Sequence, residues 1–209
     1  MILFLLVFIS TFYQVQKYTL AFAYGFEATD SFRHLNPEFE ITAFYGDLPK
    51  YYPYLSGLAV LLPQAFFSLF SGILADKYNR AYLLGGASIC WSACTLATGE
   101  VSDFTTFCLL RVLYGTFASC VHPPAFGIIR DSFPPQWRTT ANSIYSFSGF
   151  LGGGIASFSI GLIQAYGWRQ DYDFVGITGI VIGILCVTLV DDPERGRFDR
   201  IDRFESNPD

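Results

Sequence analysis

The chain has 209 residues, with 13 Lys and Arg against 18 Asp and Glu for a net charge of −5; it is 52% hydrophobic and 18% aromatic but only 15% charged. Soluble domains average roughly 25% charged residues, so this composition excludes a disordered chain, a basic nucleic-acid binder and a disulfide-stapled secreted module. It specifies an all-α membrane protein, with the lipid bilayer as its first partner and no nucleic acid expected.

A crossing helix needs roughly 20 mostly apolar residues, and the chain offers six such segments. The first, 1–24, carries Gln14, Gln16 and Lys17. These must face protein or a water-filled cavity, because exposure to lipid is costly. A signal peptide is the competing reading, but no positive residue precedes the apolar run. The long connection 27–52 is aromatic and acidic and reads as a folded cap or a partner surface. Span 54–75 ends in the charged turn 76–80, and span 82–98 follows. Span 104–129 carries Arg111 near its start and His122-Pro123-Pro124, a kink sequence, further on. Span 141–166 is rich in glycine, with Gly149 and Gly153 at the G-x-x-x-G spacing that brings helix backbones close. Span 174–190 completes the bundle, and the charged tail 191–209, with Pro193 and Pro208, leaves the bilayer.

Loop cations set orientation. Lys77, Arg80, Arg130, Arg138, Arg195, Arg197, Arg200 and Arg203 fall on one side, and Arg33, Lys50 and Arg169 on the other. The expected topology is multi-pass with both termini cytoplasmic. Cys90, Cys94, Cys108, Cys120 and Cys186 all lie in apolar spans, without metal spacing, and read as small packing residues. No nucleophile–base pairing, P-loop or dinucleotide fingerprint appears, so no enzyme, cofactor or metal is expected.

The sharpest motif is Gly72-Ile73-Leu74-Ala75-Asp76-Lys77-Tyr78-Asn79-Arg80. A glycine one turn before a helix end admits a close neighbour, and the acid at that end can pair with a base or cap a helix N-terminus. This resembles the turn between spans 2 and 3 of the major facilitator superfamily. Asn79 stands where that family usually has glycine, and Asn tolerates the left-handed conformation expected there. Further matches are Arg111 with Gly115; Asp131, Pro134, Pro135 and Arg138; the glycines of span 141–166; Gly167-Trp168-Arg169; and Asp192-Pro193-Glu194-Arg195-Gly196. Within the superfamily the chain looks like the spinster-like branch.

The resemblance implies six transmembrane helices forming one half of that fold, a second six-helix half as partner, and a small-molecule solute carried between them. It implies a coupling motif of Gly72, Asp76, Lys77, Arg80, Asp131 and Arg138, with Asp76 expected to meet Arg138 or a helix N-terminus. It implies packing glycines at Gly115, Gly149 and Gly153. Gln16-Lys17 and Ala118 stand where the family carries acids, so proton coupling is not implied. Arg111, Gly115, Ala118 and His122 share one helix face. The cavity candidates are Arg111, Lys17, Gln16, Gln14 and His122; their cations favour an anionic organic or lipid-like solute. His122 reads as a proton relay or as a packed polar residue at the kink. The competing function is a non-transporting membrane subunit or scaffold built on the same fold.

Overall fold

The structure, a computed structural model, describes residues 1–25, 41–196 and 198. Secondary structure among them is helical throughout. Helix α1 is Ile2–Gly25, α2 is the short Ile41–Phe44, α3 is Leu48–Lys77 and α4 is Arg80–Glu100. Helix α5 is Phe104–Ser132, α6 is Pro135–Tyr166 and α7 is Trp168–Leu189. Helices α3 to α7 are each long and apolar enough to cross a bilayer. Helix α1 has the length, 24 residues, but spends part of it on Gln14, Gln16 and Lys17.

Four pairings build the bundle: α4 along α7, α1 along α6, and α5 along both α3 and α4. Glycines set how closely they approach. A Cβ on Gly183 of α7 would fall 3.0 Å from the Ile89 backbone nitrogen of α4, and one on Gly115 of α5 would fall 2.4 Å from the Val60 carbonyl of α3. On α6 the close approach to α1 falls at Gly152, whose Cβ would lie 2.6 Å from the Thr11 carbonyl. Gly149 and Gly153, the pair expected from spacing, meet only side-chain atoms, at 3.4 Å and 3.7 Å. The helix turns so that the glycine between them takes the seam.

Helix limits differ from the apolar segments for local reasons. Helix α7 begins at Trp168, six residues before the apolar run, because Gly167 takes φ 95° and restarts the chain as helix. Its first turns accept Asp171, as a helix N-terminus favours acids. Helix α6 begins at Pro135, whose fixed φ suits the first helical position. Asn79 is not left-handed: its φ is −63° and ψ 121°, and its side chain caps α4 by accepting from the Ala81 and Tyr82 amides at 2.9 and 3.1 Å. Capping is the other way an asparagine can end a turn.

Helix α5 breaks at 119–121. Pro123 has no N–H for the Ser119 carbonyl, and the Ser71 hydroxyl of α3 fills the vacancy at 3.0 Å. Of the expected cap, residues 26–40 lie outside the described residues. Ile41, Tyr45 and Leu48 are buried with Leu20, Phe107, Trp168 and Tyr172, closing one end of the bundle.

Candidate functional site

Tyr13 of α1 is the centre of a polar cluster inside the bundle. Its hydroxyl donates to Gln64 Oε1 of α3 at 3.0 Å, and its carbonyl accepts the Tyr114 hydroxyl of α5 at 3.0 Å. The His122 ring meets the Tyr13 ring edge-on at 5.9 Å, and the Lys17 ammonium lies 6.0 Å from the same ring. His122 Nδ1 is 3.1 Å from the Tyr145 hydroxyl of α6. Beside this cluster, between α3 and α5, runs an open groove of about 410 Å³ lined by Gln64, Ser68, Ser119 and His122 with Leu61 and Phe126. The kink in α5 places Ser119 and His122 there. Lys17 is half-buried and makes no ion pair among the described residues.

The other cavity candidates go elsewhere. Gln16 is buried and points between α4 and α7, donating to Ser92 Oγ at 3.0 Å and to the Val175 carbonyl at 3.2 Å. Gln14 rests against Gly149 and Gly152 of α6. Arg111 is buried, donates to the Tyr172 hydroxyl of α7, and lies 5.7 Å from the Phe107 ring and 5.6 Å from the Tyr172 ring. Its cation is spent on packing α5 against α7. Of the five candidates, the structure brings Lys17 and His122 together and disperses the rest. Tyr13, Gln64 and Tyr145, which hold the cluster together, were missed: a tyrosine or glutamine in an apolar span shows no partner by spacing.

At the opposite end from the cap, the coupling-motif residues separate into two groups. Arg80 Nη1 is 2.5 Å from Asp131 Oδ2, both side chains buried. The segment after α7 straps across them: Asp192 accepts the Arg80 amide at 3.1 Å, the Gly196 amide donates to Asp131 at 3.2 Å, and Arg195 donates to the carbonyls of Ala75, Asp76 and Tyr78. Arg138 donates to the Phe133 carbonyl at 3.2 Å. Gly72 has open space beside it, Lys77 is exposed, and the exposed Asp76 carboxylate pairs with neither Arg138 nor a helix N-terminus.

Among the described residues, a bundle of long apolar helices with a polar cluster on its inner helices and a strapped charged turn at one end defines a multi-pass membrane protein. The sequence profile of the Major Facilitator Superfamily matches residues 6–207, and the chain belongs to that family. Its fold is similar to that of a bacterial homologue of the human lysosomal transporter Spinster in an inward-facing, occupied conformation. The TM-score is 0.70 at 23% identity, over 99% of this chain and 47% of that one. The hexuronate transporter of Bacillus subtilis is 24% identical over 60% of this chain and 30% of its own. The quinolone resistance protein NorA of Staphylococcus aureus is 29% identical over 70% and 38%. The chain thus spans less than half the length of these relatives.

Proposed function

We propose that the chain works as the N-terminal half of a secondary transporter for a small anionic solute, organic or lipid-like, with both termini cytoplasmic. The observation that carries this reading is Lys17. Its ammonium has no acid paired with it among the described residues and lies 6.0 Å from the ring of Tyr13, whose hydroxyl bonds Gln64, a residue that lines the open groove with His122. A cation kept inside an apolar bundle without a counter-charge is costly, and an anionic ligand would offset that cost. The partner is a second six-helix half: the exposed Asp76 and the open space beside Gly72 are left for a neighbouring helix. One relative is named for hexuronate, an organic anion, which makes a suitable probe.

The test joins the chain to a compatible second half in proteoliposomes and compares hexuronate and lysophosphatidate with uncharged analogues. Lys17→Gln should weaken anion binding about tenfold, about 1.4 kcal/mol, and leave neutral solutes unchanged. Equal anion binding by both forms would sink the anionic assignment. For orientation, Asp47→Cys and Tyr78→Cys should label from opposite faces of the membrane. Gln16 and Ala118, which stand where acids occur in the family, favour a second reading as a non-transporting subunit. In that case the joined protein would assemble and show no flux.

A further inference from the structure

Asp171 is the buried acid that neither the polar cluster nor the strapped turn uses. It lies in the first turn of α7, ahead of the apolar run 174–190, at the capped end of the bundle. It is 1% exposed, and among the described residues the Ser159 hydroxyl is the one donor facing its carboxylate. The ion pairs among the described residues lie at the other end of the molecule.

Among the described residues, the elements packed against it bring no charge, and its neighbours Arg169 and Asp173 on α7 face Gly99 of α4 instead. From α6 it faces the Ser159 hydroxyl, itself buried, and the Tyr166 phenol at the rim of a space of about 240 Å³. On the next turn of α7, α1 contributes apolar Val15 and Phe22, which pack on Val175. From α7 itself come Gln170 and Phe174 at the same space, while the neighbouring Tyr172 turns away to Arg111. An ionised carboxylate enclosed with a single hydroxyl and no counter-charge carries a large desolvation penalty. Asp171 borders that space but its carboxyl oxygens have no exposed surface, so water reaches them only when the start of α7 and the second half of α6 move apart.

We propose that Asp171 is a proton-binding site whose occupancy holds the second half of α6 against α7. A hydronium ion gives up one O–H bond and becomes water, one carboxyl oxygen gains an O–H bond, and the side chain goes from −1 to neutral. Release of that proton requires water at the carboxylate, and therefore separation of Ser159–Tyr166 from the start of α7. The closed seam binds the proton more tightly than the open one, so by linkage acid favours closure and alkali favours opening. The site is independent of the Lys17 cluster and of the transport reading.

Hydrogen exchange and infrared spectra of the chain in lipid nanodiscs test this. After correction for intrinsic pH dependence, exchange in Ser159–Tyr166 should rise about tenfold between about pH 5 and about pH 8, while the centre of α4 stays unchanged. Asp171→Asn, a neutral mimic of the protonated form, should keep the segment protected at both. The protonated-carboxyl stretch should be present at low pH, vanish at high pH, and be absent from Asp171→Asn. Ser159→Ala keeps the acid and should shift that stretch, which serves if the Asn form does not fold. A wild-type segment indifferent to pH, a pH response retained in Asp171→Asn, or a stretch unmoved by Ser159→Ala would each overturn the proposal.

Discussion

Arg80 of α4 and Asp131 of α5 meet at 2.5 Å with both side chains buried, and the end of α3 and the segment after α7 close on this pair. Arg80 Nε donates to the Ala75 carbonyl at the end of α3, Arg130 Nε lies 3.4 Å from Asp131, and the Gly196 amide adds a third donor. The carboxylate is therefore charge-compensated and hydrogen-bonded, the condition under which a buried ion pair persists. It ties two helix ends and the strap after α7 into one unit.

Removing one partner leaves the other charge buried. Asp131→Asn should cost about 3 kcal/mol or more, read as a fall of roughly 6 °C or more in thermal midpoint in detergent. Arg195→Gln should cost less, since it strips donors from carbonyls at a largely exposed helix end. Equal midpoints for Asp131→Asn and wild type would show that the pair contributes nothing to stability.

Arg111 and Tyr172 should behave as one structural unit. Arg111→Gln and Tyr172→Phe should each destabilise the bundle, and the double variant should cost measurably less than their sum, with a coupling of about 1 kcal/mol or more. Thermal midpoints of the four forms give the cycle. Additive effects would mean that the hydrogen bond between them adds nothing.

Glycines at neighbouring positions on α6 should respond differently. A Cβ at Gly152 meets the Thr11 carbonyl at 2.6 Å and Gln14 Cβ at 2.4 Å, whereas at Gly153 the nearest atom is 3.7 Å away. Gly152→Ala should lower stability by about 1–3 kcal/mol through overpacking, and Gly153→Ala should be neutral or slightly stabilising. Reversal of that order would mean that α1 and α6 pack on another face.

Asp103 caps the start of α5 outside the spans. Its carboxylate accepts the Thr106 amide at 2.9 Å and the Thr106 hydroxyl at 3.0 Å, which holds it below the usual carboxylate range. A lowered folded-state value means the cap stabilises above the unfolded value and is lost as pH falls through the folded one. Acidification should therefore speed amide exchange at Thr106, and Asp103→Asn should abolish that pH dependence. Identical pH profiles for the two forms would rule the cap out as the cause.

The sequence by itself determined the class of protein. Long apolar runs between charged turns can only be satisfied as membrane helices, and Gly72 to Arg80 named the family before any coordinates. The α5 break was legible too, because proline removes a backbone donor wherever it stands. What periodicity could not decide was which neighbour each polar side chain meets. Gln16 reaches Ser92, 76 positions away, and Arg111 reaches Tyr172, 61 positions away. Both looked like cavity residues because a face of one helix is defined without reference to the helices around it. Asp171 looked like loop because Arg169 and Asp173 flank it, and only the folding of α6 over α7 buried it. Helix formation is local and written in short windows of sequence. The burial and pairing of a charge depend on the rotation and contact of whole helices, so the tertiary structure alone settled which polar groups are spent on packing and which face the groove.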